Sequence, residues 1–246
     1  MVWFQFAFVR KFKRGNAKNG DGRATLLGSL IYASKPLLSE GTIDAQFGPS
    51  GEILEGFGLI GGGEATLSFR PTGDGRSELE IISKNGGRVL KGLNIVDSIS
   101  EGSLTLVTLF LNPQFSEYDT QIDITDFSVT EAPKAIRAFS VLSLAGLYSL
   151  VEGSGTNFVK GEAKILSREG QHKLEKVRAT GNAVGVSMLG QFNRQTGEVD
   201  VSGNLVPASF LSQLIGVIPI IGQILTGVDK AGLFVTQFSL TGDVDD

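Results

Sequence analysis

EAPKAIRAFSVLSLAGLYSL, residues 131–150, is the stretch that decides the fold, because here the alternating pattern of a β-rich sequence becomes helical. Six apolar residues recur every two or three positions and fall on one broad face at about 100° per residue. They are Ile136, Phe139, Leu142, Leu144, Leu147 and Leu150. Pro133 suits a first helical turn, and Gly153 follows the last apolar position. The pattern predicts an amphipathic helix at about 134–151 that lies against an apolar surface.

On both sides of this helix the sequence predicts antiparallel strands. In residues 64–70, apolar and polar side chains alternate, which is typical of a half-buried strand. Residues 103–111 are apolar on both faces, so this strand is expected to be covered on both sides. In residues 120–130 the alternation changes register near Asp126, which predicts a bulge. Further strands are expected at 42–47, 52–60, 78–83, 157–166, 173–180, 185–193, 198–205 and 232–240.

A second long apolar segment occupies residues 208–226. Pro219 lacks the N–H that a helix interior requires, so two short helices or one kinked helix are expected. Short strands separated by turns every 8–12 residues or so are typical of a meander. The predicted fold class is mainly β with a few α-helices: a curved antiparallel meander sheet, forming a groove or half-barrel, capped by amphipathic helices at about 134–151 and 208–226.

Composition excludes several classes of function. A net charge of -4 gives no overall attraction to nucleic acid. The absence of cysteine removes disulfides, thiolate chemistry and zinc–cysteine sites. The only histidine, His172, lies in the polar run GQHKLEK and is expected at the surface. The chain is therefore predicted not to be an enzyme, and to hold no metal or cofactor.

A glycine string and the N-terminal segment need separate interpretation. Gly56, Gly58 and Gly61 match G-x-G-x-x-G, but a strand-like segment follows, so a bent sheet explains them better than a dinucleotide site. Residues 1–9 are too short to span a bilayer, and the basic residues follow this apolar run instead of preceding it as in a secretory signal. No anchor or targeting signal is thus predicted in this chain, and residues 1–40 stay unassigned.

Several ordered motifs resemble a known family. FSVLSLAGLYSLVEGSGTNF, residues 139–158, is similar to its helix, glycine stop and G-x-x-F strand. GNLVPASFLSQLIGVIPIIGQILTG, residues 203–227, resembles its G-x-x-V-P segment, short helices and final turn, and GLFVTQFSLTGDV resembles its closing strand. Residues 87–103 also fit its upstream strand pairs. The chain thus resembles the AsmA-like C-terminal region of bacterial envelope proteins of the AsmA, YhdP and TamB type, over a domain at 41–246.

The resemblance implies a lipid-transport function. Proteins of this family are thought to carry phospholipid between inner and outer membranes along a hydrophobic groove, in the periplasm and with an inner-membrane anchor. Shielding acyl chains matters because each exposed CH₂ costs about 0.8 kcal/mol. The resemblance implies no catalytic residue. The candidates for lipid binding are apolar residues nominated by their strand face: Leu104, Leu106, Phe110, Phe158, Val186, Met188 and Phe192.

Two alternatives stay open at this point. The chain could be an assembly or scaffold factor for outer-membrane or periplasmic proteins, which would pair client strands with an edge of its sheet. An enzyme would require a buried pair of carboxylates facing a pocket. From periodicity alone, the apolar faces could also bury one another as an ordinary core, with no groove for a ligand.

Overall fold

The computed structural model describes residues 7–9, 12–14, 22–32, 35–48, 51–130, 156–182, 184–193, 195–207 and 236–243. These residues are mainly β-strand, with one α-helix, α1 Gly86–Gly92. The strands are β1 Ala7–Val9, β2 Phe12–Arg14, β3 Gly22–Tyr32, β4 Lys35–Gly48, β5 Gly51–Ile60, β6 Gly63–Gly73, β7 Arg76–Ser83, β8 Ile99–Phe110, β9 Glu117–Val129, β10 Thr156–Arg168, β11 Gln171–Gly181, β12 Val184–Asn193, β13 Glu198–Pro207 and β14 Thr236–Asp243.

The strands form a single open antiparallel sheet in which sequence neighbours pair. The hydrogen-bonded order is β1-β3-β4 and then each successive strand to β14, while β2 also pairs with β3. This confirms the predicted mainly β meander. The capping helices predicted at 134–151 and 208–226 lie outside the described residues. Within the described part of the chain, no helix is long and apolar enough to cross a membrane.

Side-chain burial follows the alternation that the sequence predicts. On β6, Ala65, Leu67 and Phe69 are buried while their neighbours are partly or fully exposed. On β9, Ile124 and Phe127 are both buried although three positions apart, because Asp126 between them has φ 55. This left-handed residue lies where the sequence predicts a bulge, and it keeps both side chains on the apolar face.

The chain divides into two compact units, Met1–Thr120 and Gln121–Asp246, here called unit 1 and unit 2. In unit 1 the paired positions of β4 to β8 place apolar residues on one face, shown by the registers Ala45–Leu54–Phe69–Leu79 and Leu67–Ile81–Leu106. The described part of the N-terminal segment 1–40 belongs to this sheet, since it contributes β1, β2, β3 and the start of β4.

Helix α1 was not predicted, because residues 87–103 were expected to form strand pairs. The helix has seven residues, starts with two glycines and has no side-chain N-cap hydrogen bond, so local propensity does not favour it. Tertiary packing does: Val89 and Leu90 are buried, and the helix backbone packs directly against the β5–β6 turn.

The β8 strand differs from expectation on one face. Leu104, Leu106 and Phe110 are buried, but Val107 and Leu109 on the opposite face are only half-buried. Their cross-strand neighbours on β7 are Glu80 and Glu78, whose carboxylates need water. The prediction that this strand is covered on both sides is therefore wrong for Val107 and Leu109.

The glycine string lies within the sheet, as the strand-like segment after it predicts. Gly56 and Gly58 belong to β5, and Gly61 starts the turn into the strand β6. A Cβ on Gly58 would meet the backbone of Gly41 at 2.8 Å, so the glycines allow β4 and β5 to approach closely. No helix follows this string, which removes the dinucleotide interpretation.

Candidate functional site

The three β8 candidates belong to the core of unit 1. Leu104, Leu106 and Phe110 occupy alternate positions on one face and are 1%, 3% and 5% exposed. Leu106 pairs with Ile81 on β7, and that residue pairs with Leu67 on β6. These side chains are enclosed by protein, so a ligand could reach them only after other groups move.

Aromatic side chains close one end of this core. The Phe110 ring centroid lies 4.8 Å from that of Phe115, in the loop after β8, and 5.9 Å from that of Tyr118 on β9. Phe69 completes the cluster, 6.4 Å from Phe110 and 6.1 Å from Phe115. Edge and tilted contacts of this kind add about 0.5–1.5 kcal/mol each beyond the area they bury. Phe110 thus has a structural role in unit 1.

Phe158 is the first candidate in unit 2 and is also buried. Its ring stacks on Phe127 of β9, with centroids 5.2 Å apart and planes 12° apart. Gly161, two strand positions beyond the β10 bulge, leaves room for this pair, because a Cβ there would lie 3.0 Å from both Ile124 and Phe127. Phe158 anchors β10 against β9.

Val186, Met188 and Phe192 share one face of β12 and are only half-buried. Their partners on β11 are Ala179, Val177 and His172. Their partners on β13 are Leu205, Gly203 and Val199. The row continues to β14, where Phe238 pairs with Gly203. These three candidates therefore lie together on an apolar face of β11 to β14 that remains partly accessible, unlike the β8 candidates.

His172 lies on this same face and is buried, so the prediction of a surface histidine is wrong. Its Nδ1 is 2.8 Å from the Oγ of the fully buried Ser167, and its ring stacks on Phe192 with centroids 4.6 Å apart. The reason is strand periodicity: His172 and Leu174 alternate with exposed or partly exposed polar residues at the start of β11. The alternation with a period of two within GQHKLEK could have predicted that His172 lies on the apolar face.

The opposite face of β10 and β11 carries charged side chains and was not predicted from the sequence. Glu162 Oε1 lies 2.6 Å from Lys160 Nζ, and its Oε2 lies 2.6 Å from Lys176 Nζ. Glu175 contacts Lys164 at 2.8 Å and Lys173 at 3.8 Å. We call the surface formed by these six side chains, with Arg168 and Arg178, the cationic face. The alternation Lys160-x-Glu162-x-Lys164 would have indicated it.

The ion pairs on the cationic face change the pKa values of its carboxyl groups. Hydrogen bonds from Lys160 and then Lys176 lower the pKa of Glu162 from 4.5 to about 2. The hydrogen bond from Lys164 lowers the pKa of Glu175. The pKa of Lys160 is raised, first by its hydrogen bond to Glu162. Glu162, Glu175 and Lys160 are therefore charged at neutral pH.

Comparison with protein-family models, with curated proteins and with solved structures gave no match to this chain.

Proposed function

We propose that the chain is the C-terminal part of a cell-envelope lipid-transport protein, which shields phospholipid acyl chains from water on the apolar face of unit 2. The observation that carries this proposal is the half-buried row on β12, Val186, Met188 and Phe192, flanked by apolar partners on β11, β13 and β14. The family resemblance of the sequence adds the phospholipid, the periplasmic location and the inner-membrane anchor of the full-length protein. The proposed activity makes and breaks no covalent bond.

The burial of each candidate separates residues that could contact lipid from residues that support the sheet. Leu104, Leu106, Phe110 and Phe158 are buried against protein, so they support the sheet. Replacing such a residue measures folding: Leu106→Ala is expected to cost about 2–5 kcal/mol of stability. Val186, Met188 and Phe192 are the positions where an acyl chain could replace water at an apolar surface.

The test compares two adjacent residues of β12. Met188 lies on the apolar face and Leu189 on the opposite face, and both are half-buried. In Met188→Asp, phospholipid that co-purifies with the full chain should fall at least about tenfold, because losing contact with two methylenes costs about 1.6 kcal/mol. Leu189→Asp should co-purify with as much phospholipid as the wild type. Phospholipid per protein is measured by mass spectrometry, and thermal unfolding confirms that both variants fold. Equal lipid content in the two variants, or none in the wild type, would overturn the proposal.

The alternative of an assembly factor rests on β14. This strand ends the sheet order among the described strands, and its residues 236–242 are uncharged. Such an edge could pair with a strand of a client protein. The same pair of variants separates the two functions, since edge pairing through backbone groups should survive Met188→Asp.

A further inference from the structure

The hairpin of β10 and β11 concentrates positive charge in a chain that is negative overall. Residues 156–181 contain six lysine and arginine residues against three glutamates, whereas the whole chain has a net charge of -4. We propose that the cationic face of this hairpin docks unit 2 onto the anionic headgroups of a phospholipid membrane.

The geometry of the ion pairs turns the positive groups outward. The side chains of Lys160, Lys164, Lys173 and Lys176 are 41–66% exposed, while those of Glu162 and Glu175 are 28–32% exposed. Each of the two carboxylates contacts two lysines, and each lysine is more exposed than the carboxylate it contacts. An approaching surface therefore meets ammonium groups before it meets carboxylates.

Register places all the charges on one side of the hairpin. Lys160, Glu162 and Lys164 occupy alternate positions on β10, and Lys176 pairs directly with Lys164. Arg178 pairs with Glu162, and a register shift after Lys164 lets Glu175 reach the same side. The other side carries the apolar Ala163, Ile165 and Val177, so the hairpin presents lysines and apolar residues on opposite faces.

Charge complementarity favours a membrane over nucleic acid. A bilayer of phosphatidylglycerol and phosphatidylethanolamine presents phosphates together with ammonium groups, which match lysines interspersed with carboxylates. Single-stranded nucleic acid is held by basic grooves with aromatic side chains that stack on bases. The cationic face has no aromatic residue, since the aromatic rings of this hairpin, Phe158 and His172, lie on the apolar face.

This docking is independent of acyl-chain shielding, because it needs only surface charge. It would hold unit 2 at a membrane whether or not lipid enters the apolar face. Each lysine near an anionic bilayer is expected to strengthen binding about fivefold, and salt should weaken it.

The experiment measures co-sedimentation of the full chain with vesicles of equimolar phosphatidylglycerol and phosphatidylethanolamine. The variant Lys164→Gln with Lys173→Gln should bind about 25-fold more weakly than the wild type, at fivefold per lysine. The matched control, Lys84→Gln with Lys91→Gln, makes the same change in net charge at exposed lysines outside the hairpin and should bind within twofold of the wild type. Thermal unfolding checks that both variants fold.

Three outcomes would overturn the docking proposal: equal losses in the two variants, equally tight binding to phosphatidylcholine vesicles, or tighter binding to single-stranded DNA than to anionic vesicles. Vesicle binding that depends on Lys164 and Lys173 without co-purifying phospholipid would support docking and contradict lipid transport. Co-purifying phospholipid with no vesicle binding would contradict docking and support lipid transport.

Discussion

At the scale of single residues, Gly61 shows how backbone contact shapes unit 1. It has φ +59 in the turn between β5 and β6, and its Cα faces the backbone of α1. A Cβ at this position would clash with the carbonyl oxygen of Arg88 and with the backbone of Gly92. Since backbone atoms cannot rotate away, the contact between the turn and α1 requires glycine here.

Gly61→Ala is therefore expected to destabilise the protein by about 3 kcal/mol, more than the 1–2 kcal/mol that a left-handed conformation alone costs an L-residue. Gly62→Ala is the matched control, because Gly62 has φ +80 but only the end of the Arg88 side chain near its Cβ position, at 3.7 Å. Gly62→Ala should therefore be destabilised only by the cost of the left-handed conformation, about 1–2 kcal/mol. Urea denaturation of both variants provides the measurement, and equal losses would contradict close packing of α1 on the turn.

At the scale of elements, the hairpin of β10 and β11 is joined across its charged side by Glu162. This carboxylate binds Lys160 on its own strand and Lys176 on the next. Its pKa is lowered to about 2 in the folded protein, so folding favours its charged form. The contribution to stability is present above the unfolded pKa, near 4.5, and is lost as the pH falls through about 2.

Glu162→Gln should lower the free energy of unfolding by about 1 kcal/mol at neutral pH, a small value because the lysines are largely exposed. The difference from the wild type should shrink below pH 4.5 or so and disappear once the pH has fallen below about 2, where the wild-type carboxyl is protonated as well. Denaturation of both proteins across this pH range measures whether the stability difference shrinks or grows as the pH falls. Glu52→Gln, at an exposed position on β5, serves as the control. A difference that grows on acidification would refute the assignment.

The sequence predicted the positions of some secondary-structure elements but not of others. Periodicity of two located β5 to β13, because each strand has one apolar face and the alternation of Ala65, Leu67 and Phe69 records that directly. The sequence did not predict helix α1, because the contact of Arg88 and Gly92 with Gly61 in the β5–β6 turn outweighs poor local propensity. His172 was mispredicted for a different reason: its polar neighbours in the chain suggested a surface position, although strand geometry places it on the apolar face.

At the scale of the whole molecule, the sequence predicted an apolar side of the sheet but not how much of it is enclosed. Alternation fixes which side chains share a face, as for Leu106 in unit 1 and Met188 in unit 2. The alternation does not predict how tightly each face is packed, and in the structure Leu106 is 3% exposed whereas Met188 is half-buried. Burial depends on contacts between residues distant in sequence, which periodicity does not encode. Burial consequently reduces the candidates for lipid contact from seven residues to three, Val186, Met188 and Phe192.

The segment at 134–151 is predicted from the sequence to cover an apolar surface such as the apolar side of the sheet. If it does, the variant Leu142→Asp with Leu147→Asp should weaken that cover, because placing two carboxylates against apolar side chains is costly. Severalfold stronger fluorescence of the dye ANS and a lower melting temperature are expected. Ser140→Ala with Ser143→Ala changes the polar positions of the same segment and should leave both unchanged. Unaltered dye binding in the aspartate variant would show that this segment does not shield the sheet.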